Sequence, residues 1–247
     1  MKKTAVFAVF MFLFSAIFVY ASKPKTTIKI LPAGTITVDG SLDDWKKAGI
    51  KPIVLNKKEQ LTHGALDWDG TSGSGEVYVA FTNDKFYMAA NITSPKGMYN
   101  NNPGKDMWNG NAVEIFLGFD NSNPTREMYT ESDYQIGFSP GRVLKDGTRR
   151  VPAEIYSFNM ITSITEGDEK YGKIKAKATK NGYLLEAEIE ADFFDAWYVQ
   201  DGLDIGFDIS IDDVGPKSVA RQIQFTWSGY KESWKDPAGW GIAILKE

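Results

Sequence analysis

Apolar and polar residues alternate along the chain in short bursts, separated by Gly, Asn, Asp and Pro. The bursts fall at 27–31, 34–38, 77–81, 86–92, 112–119, 134–138, 173–178, 183–189, 205–211, 222–227 and 240–245. A period of two means that one face is buried and the other is not, which is the pattern of a half-buried strand. The run Thr82-Asn-Asp-Lys85 between two bursts predicts a hairpin. Asn181-Gly182 predicts another, closed by a two-residue turn in which both residues take positive φ. Short helical turns are expected at 41–47 and 191–196, the first capped by Ser41 with Asp43 and Asp44 in its opening turn. Loops are expected over 61–75, 96–106 and 141–169, the last long enough to hold an extra hairpin around 155–161. Ten or so short strands without a long helix predict an all-β fold. The expected form is an antiparallel β-sandwich of jelly-roll or immunoglobulin-like two-sheet architecture, in one domain over residues 22–247.

The first residues depart from this alternation. A basic start at Lys2 and Lys3 leads into nearly unbroken apolar sequence over 5–20, and Val19-Tyr20-Ala21 offers small residues for cleavage. The segment 1–21 therefore reads as a secretory signal peptide. It is too short for a spanning helix, which needs about 20 apolar residues. The expected product is a secreted chain, extracellular or periplasmic, with no spanning segment in its mature part.

Composition narrows the function. No Cys is present, so no disulfide and no lipidation site support an exported protein. The net charge of −4 becomes −6 once Lys2 and Lys3 leave with the signal segment, which disfavours nucleic acid as a partner. A single histidine, His63, excludes multi-histidine metal catalysis, and no Cys–His pair exists. No Ser lies in a nucleophile-elbow pattern and no two carboxylates are paired by spacing, so no enzyme is expected. The 7 Trp exceed what a core of this size calls for and suit a surface that stacks on flat ligands.

Four segments together carry a resemblance: VDGSLDDW at 38–45, WNGNAVEIFL at 108–117, IGFDISIDD at 205–213, and SWKDP at 233–237 followed by GIAIL at 241–245. In this order and spacing they resemble the family 9 carbohydrate-binding modules, whose fold is a β-sandwich of the DOMON-like superfamily. The resemblance implies lectin-like binding of a terminal sugar of a poly- or oligosaccharide between two tryptophans, here Trp108 and Trp234. It also implies that Glu114 reaches sugar hydroxyls, with Gln135 as a second polar contact. Asn111 stands where the family usually has Asp, and is placed with the site or with its loop. Gly137 stands where the family commonly has Arg, and Lys231 or Glu232 where a polar residue precedes the second Trp. Such a module works beside a separate glycoside hydrolase or a cell-surface complex.

Other residues have plainer readings. Trp45, Trp227 and Trp240 fall within strand or helix patterns and read as core; Trp68, in a polar loop, is a lesser candidate for a ligand wall. The acidic clusters raise a structural Ca²⁺, with Asp39, Asp43 and Asp213 as candidate ligands and Asp44, Asp208 and Asp212 beside them. No organic cofactor is expected. Two alternatives remain: a structural or protein-binding role with a degenerate sugar site, and a DOMON-like haem protein using His63 with Met88, Met98, Met107, Met128 or Met160.

Overall fold

The computed structural model describes residues 22–66, 68–144, 146–168 and 170–247; the expected signal segment lies outside them. Along the chain run β1 Lys25–Ile30, helix α1 Asp43–Lys47, β2 Ile53–Leu55, β3 Leu61–His63, β4 Gly75–Phe81, β5 Lys85–Thr93, β6 Ala112–Gly118, β7 Asp133–Ser139 and β8 Arg142–Val143. Then follow β9 Arg149–Val151, β10 Glu154–Ser157, β11 Thr162–Thr165, β12 Gly172–Ala178, β13 Gly182–Glu190, β14 Asp204–Asp213, β15 Ile223–Thr226 and β16 Gly241–Lys246.

One layer has the order β11-β10-β7-β6-β14-β16, with β15 and then β3 beside β14; the other has β4-β5-β13-β12, with β2 beside β4. Within each layer every pairing is antiparallel. Strand β1 joins the layers by running parallel to both β16 and β4, so one hydrogen-bonded ladder continues from layer to layer. Side chains of alternate positions fill the space between them. Val113, Ile115 and Leu117 of β6, Ile136 and Phe138 of β7, and Ile209 and Ile211 of β14 meet Val79, Met88 and Leu185 from the opposite layer. Each fully buried Val, Leu, Ile, Met or Phe contributes about 1.5–3 kcal/mol. Burying these positions turns their neighbours in sequence outwards.

The second layer's outer face is covered too. Residues 31–50 lie across it, and Ile36, Leu42, Trp45 and Ile50 pack on Tyr78 and Tyr87. Trp45 donates from Nε1 to Glu186 at 2.8 Å, which satisfies its polar edge. The expected strand at 34–38 is therefore not one: it is apolar because it covers a sheet, not because it joins a ladder. Helix α1 begins two residues after Ser41, whose hydroxyl accepts from the Asp43 amide at 3.2 Å.

Two further expectations are corrected in detail. The turn before β13 does not place Asn181 and Gly182 at positive φ. Gly182 serves close approach instead, since a Cβ there would sit 2.0 Å from the Ile92 carbonyl oxygen. The segment 141–169 holds the expected hairpin, as β10–β11, and a second one, β8–β9, while the expected loop at 61–75 contains strand β3.

Candidate functional site

The outer face of the first layer is left open at its centre. Alternation that buries Val113, Ile115, Ile209, Ile211, Ile223 and Phe225 sends Glu114, Phe116, Ser210, Gln224 and Thr226 out on that face. Cross-strand register then aligns them, with Gln135 opposite Phe116, Ser210 opposite Glu114, and Thr226 opposite Ser210. These side chains floor a cavity of about 390 Å³. Its walls come from loops: Lys105 and Trp108 on one side, Tyr230, Lys231 and Trp234 on the other, with Phe158 and Arg221 completing the rim.

Both tryptophans are presented by anchored backbone. Trp108 lies in a 3₁₀ turn, Gly104–Asn109, whose preceding residue Met107 is fully buried. Asn100 donates from Nδ2 to the Met107 and Asn111 carbonyls at 2.8 and 3.0 Å. The Arg221 amide bonds Asn109, tying this turn to the connection between β14 and β15. Trp234 follows Ser233, whose carbonyl accepts from Tyr129 Oη at 3.0 Å and Trp240 Nε1 at 2.9 Å. The Ser233 hydroxyl bonds Asp208 at 2.8 Å. With their neighbours pinned, the two indoles stand out at 39% and 57% exposure. Both rings therefore border the cavity with part of their surface open to solvent.

The floor carries unusual electrostatics. Asp208 is fully buried, and desolvation pushes its pKa up to about 6 although Ser228 and Ser233 donate to it. Asp212 is also buried, and its pKa is raised, first by desolvation and then by the charge of Glu114. Asp212 Oδ1 accepts from Arg221 and Gln224, each at 3.1 Å, whereas Oδ2 meets no donor. Glu114 lies within hydrogen-bond reach of Asp212 and accepts from Gln135. Burial and the nearby Glu114 charge favour the protonated form of Asp212. The Arg221 guanidinium spans from Asp212 to the Trp108 ring, 4.8 Å from its centroid.

The sequence matches the family described as "Carbohydrate family 9 binding domain-like" over residues 38–247. The chain belongs to this family. Its fold is similar to that of a carbohydrate binding module family 9 from Caldicellulosiruptor kristjanssonii in complex with cellotriose. That likeness has a TM-score of 0.61 and 17% identity over 90% of this chain and 94% of the other. A putative carbohydrate-binding protein from Bacteroides uniformis ATCC 8492 aligns with a TM-score of 0.53 and 13% identity, over 91% and 100% of the two chains. Among curated proteins the chain is 25% identical to endo-1,4-beta-xylanase A of Thermotoga maritima and to endo-1,4-beta-xylanase C of Paenibacillus barcinonensis. In each case 86% of this chain is matched. It spans only 17% and 16% of their lengths.

In this family 9 domain Trp108, Trp234, Glu114 and Gln135 all line the one cavity. Asn111 does not. It is buried under the loop, where Nδ2 donates to Ser94 Oγ at 2.8 Å and to the Gly97 carbonyl at 2.7 Å, and Oδ1 accepts from the Val214 amide at 2.9 Å. Trp68 is also taken from the ligand side: it packs edge-on against Phe225 and donates to the Ser72 carbonyl. At Gly137 the space a side chain would use is filled by Met107 and Phe158. Asp39, Asp43 and Asp213 are not brought together, and among the described residues no three His, Asp or Glu side chains are arranged to hold a metal. The shallow cavity beside His63 has no methionine in its lining.

Arg221, Gln224 and Lys105 were absent from the sequence expectations. Gln224 had a readable signal, since it alternates with Ile223 and Phe225 in the same way that Glu114 alternates with Val113 and Ile115. Arg221 and Lys105 had none, because loops bring them to the rim.

Proposed function

We propose that this domain binds carbohydrate without transforming it, and that it holds the terminal sugar of a poly- or oligosaccharide between Trp108 and Trp234. The observation that carries the reading is the pairing of two exposed indoles, from separate loops, on one cavity with a polar floor. A pyranose presents faces of weakly positive C–H bonds, which suit the negative face of an indole, and stacking also excludes water. Glu114 and Gln135, already bonded to each other, offer a fixed acceptor and an amide to ring hydroxyls. A cavity near 390 Å³ has room for one or two sugar rings and not for a long chain. Family 9 membership and the fold shared with a module in complex with cellotriose support the ligand class.

A single stacking slot gives dissociation constants in the millimolar to micromolar range, about −4 to −8 kcal/mol. The protein acts outside the cytoplasm if residues 1–21 direct export, and it then works on glycans delivered or cut by a separate enzyme. Among the described residues no helix is long and apolar enough to cross a membrane. The test is calorimetric titration against oligosaccharides of increasing length, each also supplied with its reducing end converted to the alditol. A terminal-sugar slot gives an affinity that stops rising beyond about two rings and responds to the change at one chain end. Affinity that climbs steadily with length would replace the slot with an open groove.

A further inference from the structure

The protein as a whole is acidic, with 32 Asp and Glu against 28 Lys and Arg, yet the cavity between the tryptophans is lined by three cations and one acid. Lys105 is exposed beside Trp108 and forms no ion pair among the described residues. Lys231 stands on the opposite wall, 72% exposed, and its nearest acid is Glu232 at 3.9 Å. Glu232 is engaged more closely by Lys235, at 2.8 Å, and does not line the cavity. Asp236 is occupied by the Tyr230 hydroxyl and the Ala238 amide. Arg221 gives one side-chain hydrogen bond among the described residues, to Asp212, and its other N–H groups are left at the rim.

Among the side chains that line the cavity, Lys105, Lys231 and Arg221 outnumber Glu114 by two charges. Glu114 offsets one of these cations, Lys105 has no ion pair among the described residues, and Lys231 has only the long contact to Glu232. The buried carboxyls behind this lining are engaged elsewhere, Asp212 by Arg221 and Gln224 and Asp208 by Ser228 and Ser233, and neither bonds Lys105 or Lys231. A neutral sugar has no use for this excess, which costs self-repulsion among the cations when the slot is empty. A sugar bearing a carboxylate relieves it. Arginine supplies a planar fork matched to a carboxylate, and lysines on mobile stems close from either side.

We propose that the slot of this domain is selective for an acidic sugar, a hexuronate at the end of an oligosaccharide, whose carboxylate is taken by Lys105, Lys231 and the free edge of Arg221 while its ring stacks between Trp108 and Trp234. The inference rests on the carbohydrate reading above and names its ligand class. Glucuronate and glucose differ only in carboxylate against hydroxymethyl at C6, as do galacturonate and galactose, so each pair isolates the charge. Titrations would use these four sugars and oligosaccharides ending in them, at low and high NaCl, with the wild type and the double variant Lys105→Gln/Lys231→Gln. Both substitutions are at exposed positions and leave the core intact.

The expected result is binding of one uronate about tenfold or more tighter than its neutral partner. That preference falls towards unity in high salt and in the double variant. Equal or tighter binding of the neutral sugars by the wild type would overturn the inference and leave the stacking slot standing. A uronate preference unchanged by salt and by loss of both lysines would overturn the charge assignment. No saturable binding of any sugar by the folded protein would overturn the carbohydrate reading together with it.

Discussion

Gly137 is the point where this domain departs most plainly from the arginine that the family resemblance leads one to expect. It lies on β7, opposite Glu114 on one side and Tyr156 of β10 on the other. A Cβ added there would sit 2.5 Å from Met107 Sδ, 3.3 Å from Met107 Cγ and 3.1 Å from Phe158 Cε2. Met107 cannot swing into water, because it is fully buried beneath the turn that carries Trp108. Gly137→Ala should therefore overpack, at about 1–3 kcal/mol. Reduced freedom of the unfolded chain returns about 0.4–1 kcal/mol, since φ at Gly137 is not positive and alanine can adopt it. Taking the middle of each range, the net loss is about 1.3 kcal/mol. Urea denaturation followed by tryptophan fluorescence measures it. The cause is tested by coupling: Met107→Ala opens space at the contact, so the double variant should be more stable than the sum of the single losses predicts by at least about 0.5 kcal/mol. Stability equal to or above wild type for Gly137→Ala, or strict additivity in the double variant, would refute this account of why the site has no residue reaching in from position 137.

Two more outcomes follow from buried polar groups. Asn111 donates to the Gly97 carbonyl and accepts from the Val214 amide, a combination an ionised aspartate cannot meet. Asn111→Asp should cost about 2–4 kcal/mol in denaturant unfolding while leaving sugar affinity of the folded fraction unchanged; a neutral effect would mean that the loop is held otherwise. Asp208 has a folded pKa of about 6, above its unfolded value of about 4, so the folded state binds its proton more tightly. Its contribution is greatest below the unfolded pKa and is lost as pH rises through about 6, a fall of about 3 kcal/mol. Unfolding measured from pH 4 to 7 should show this slope in the wild type and a flatter profile in Asp208→Asn; equal slopes would contradict it.

What could be read from the sequence was set by period-two patterning. It marks most of the strands, whereas Trp108, Trp234, Glu114 and Gln135 are reached through the resemblance to family 9 modules. The same pattern misassigned 34–38, where Ile36 and Val38 are buried because the chain lies across a finished sheet. Parallel pairing of β1 with β16 and β4 could not be read, since alternation says which face is buried and nothing about the neighbouring strand. For Asn111 the sequence leaves site and loop open, and the structure takes the loop, where three partners engage the amide. The cationic rim was hidden for a related reason. Lys105, Arg221 and Lys231 are distant in sequence and converge only when the turn after Pro103 and the connections flanking β15 close over the sheet.

The central claim is that two loop tryptophans form one sugar slot. Calorimetric titration of the wild type, Trp108→Ala and Trp234→Ala against the best ligand of the oligosaccharide panel tests it most directly. Both rings are largely outside the core, so both variants should fold, as checked by an unchanged urea midpoint within about 0.5 kcal/mol. The account predicts that each single substitution weakens binding by about 1–3 kcal/mol, as loss of one stacked aromatic face does. Full affinity in either variant would contradict it, because a slot with one wall removed cannot hold a ring between two.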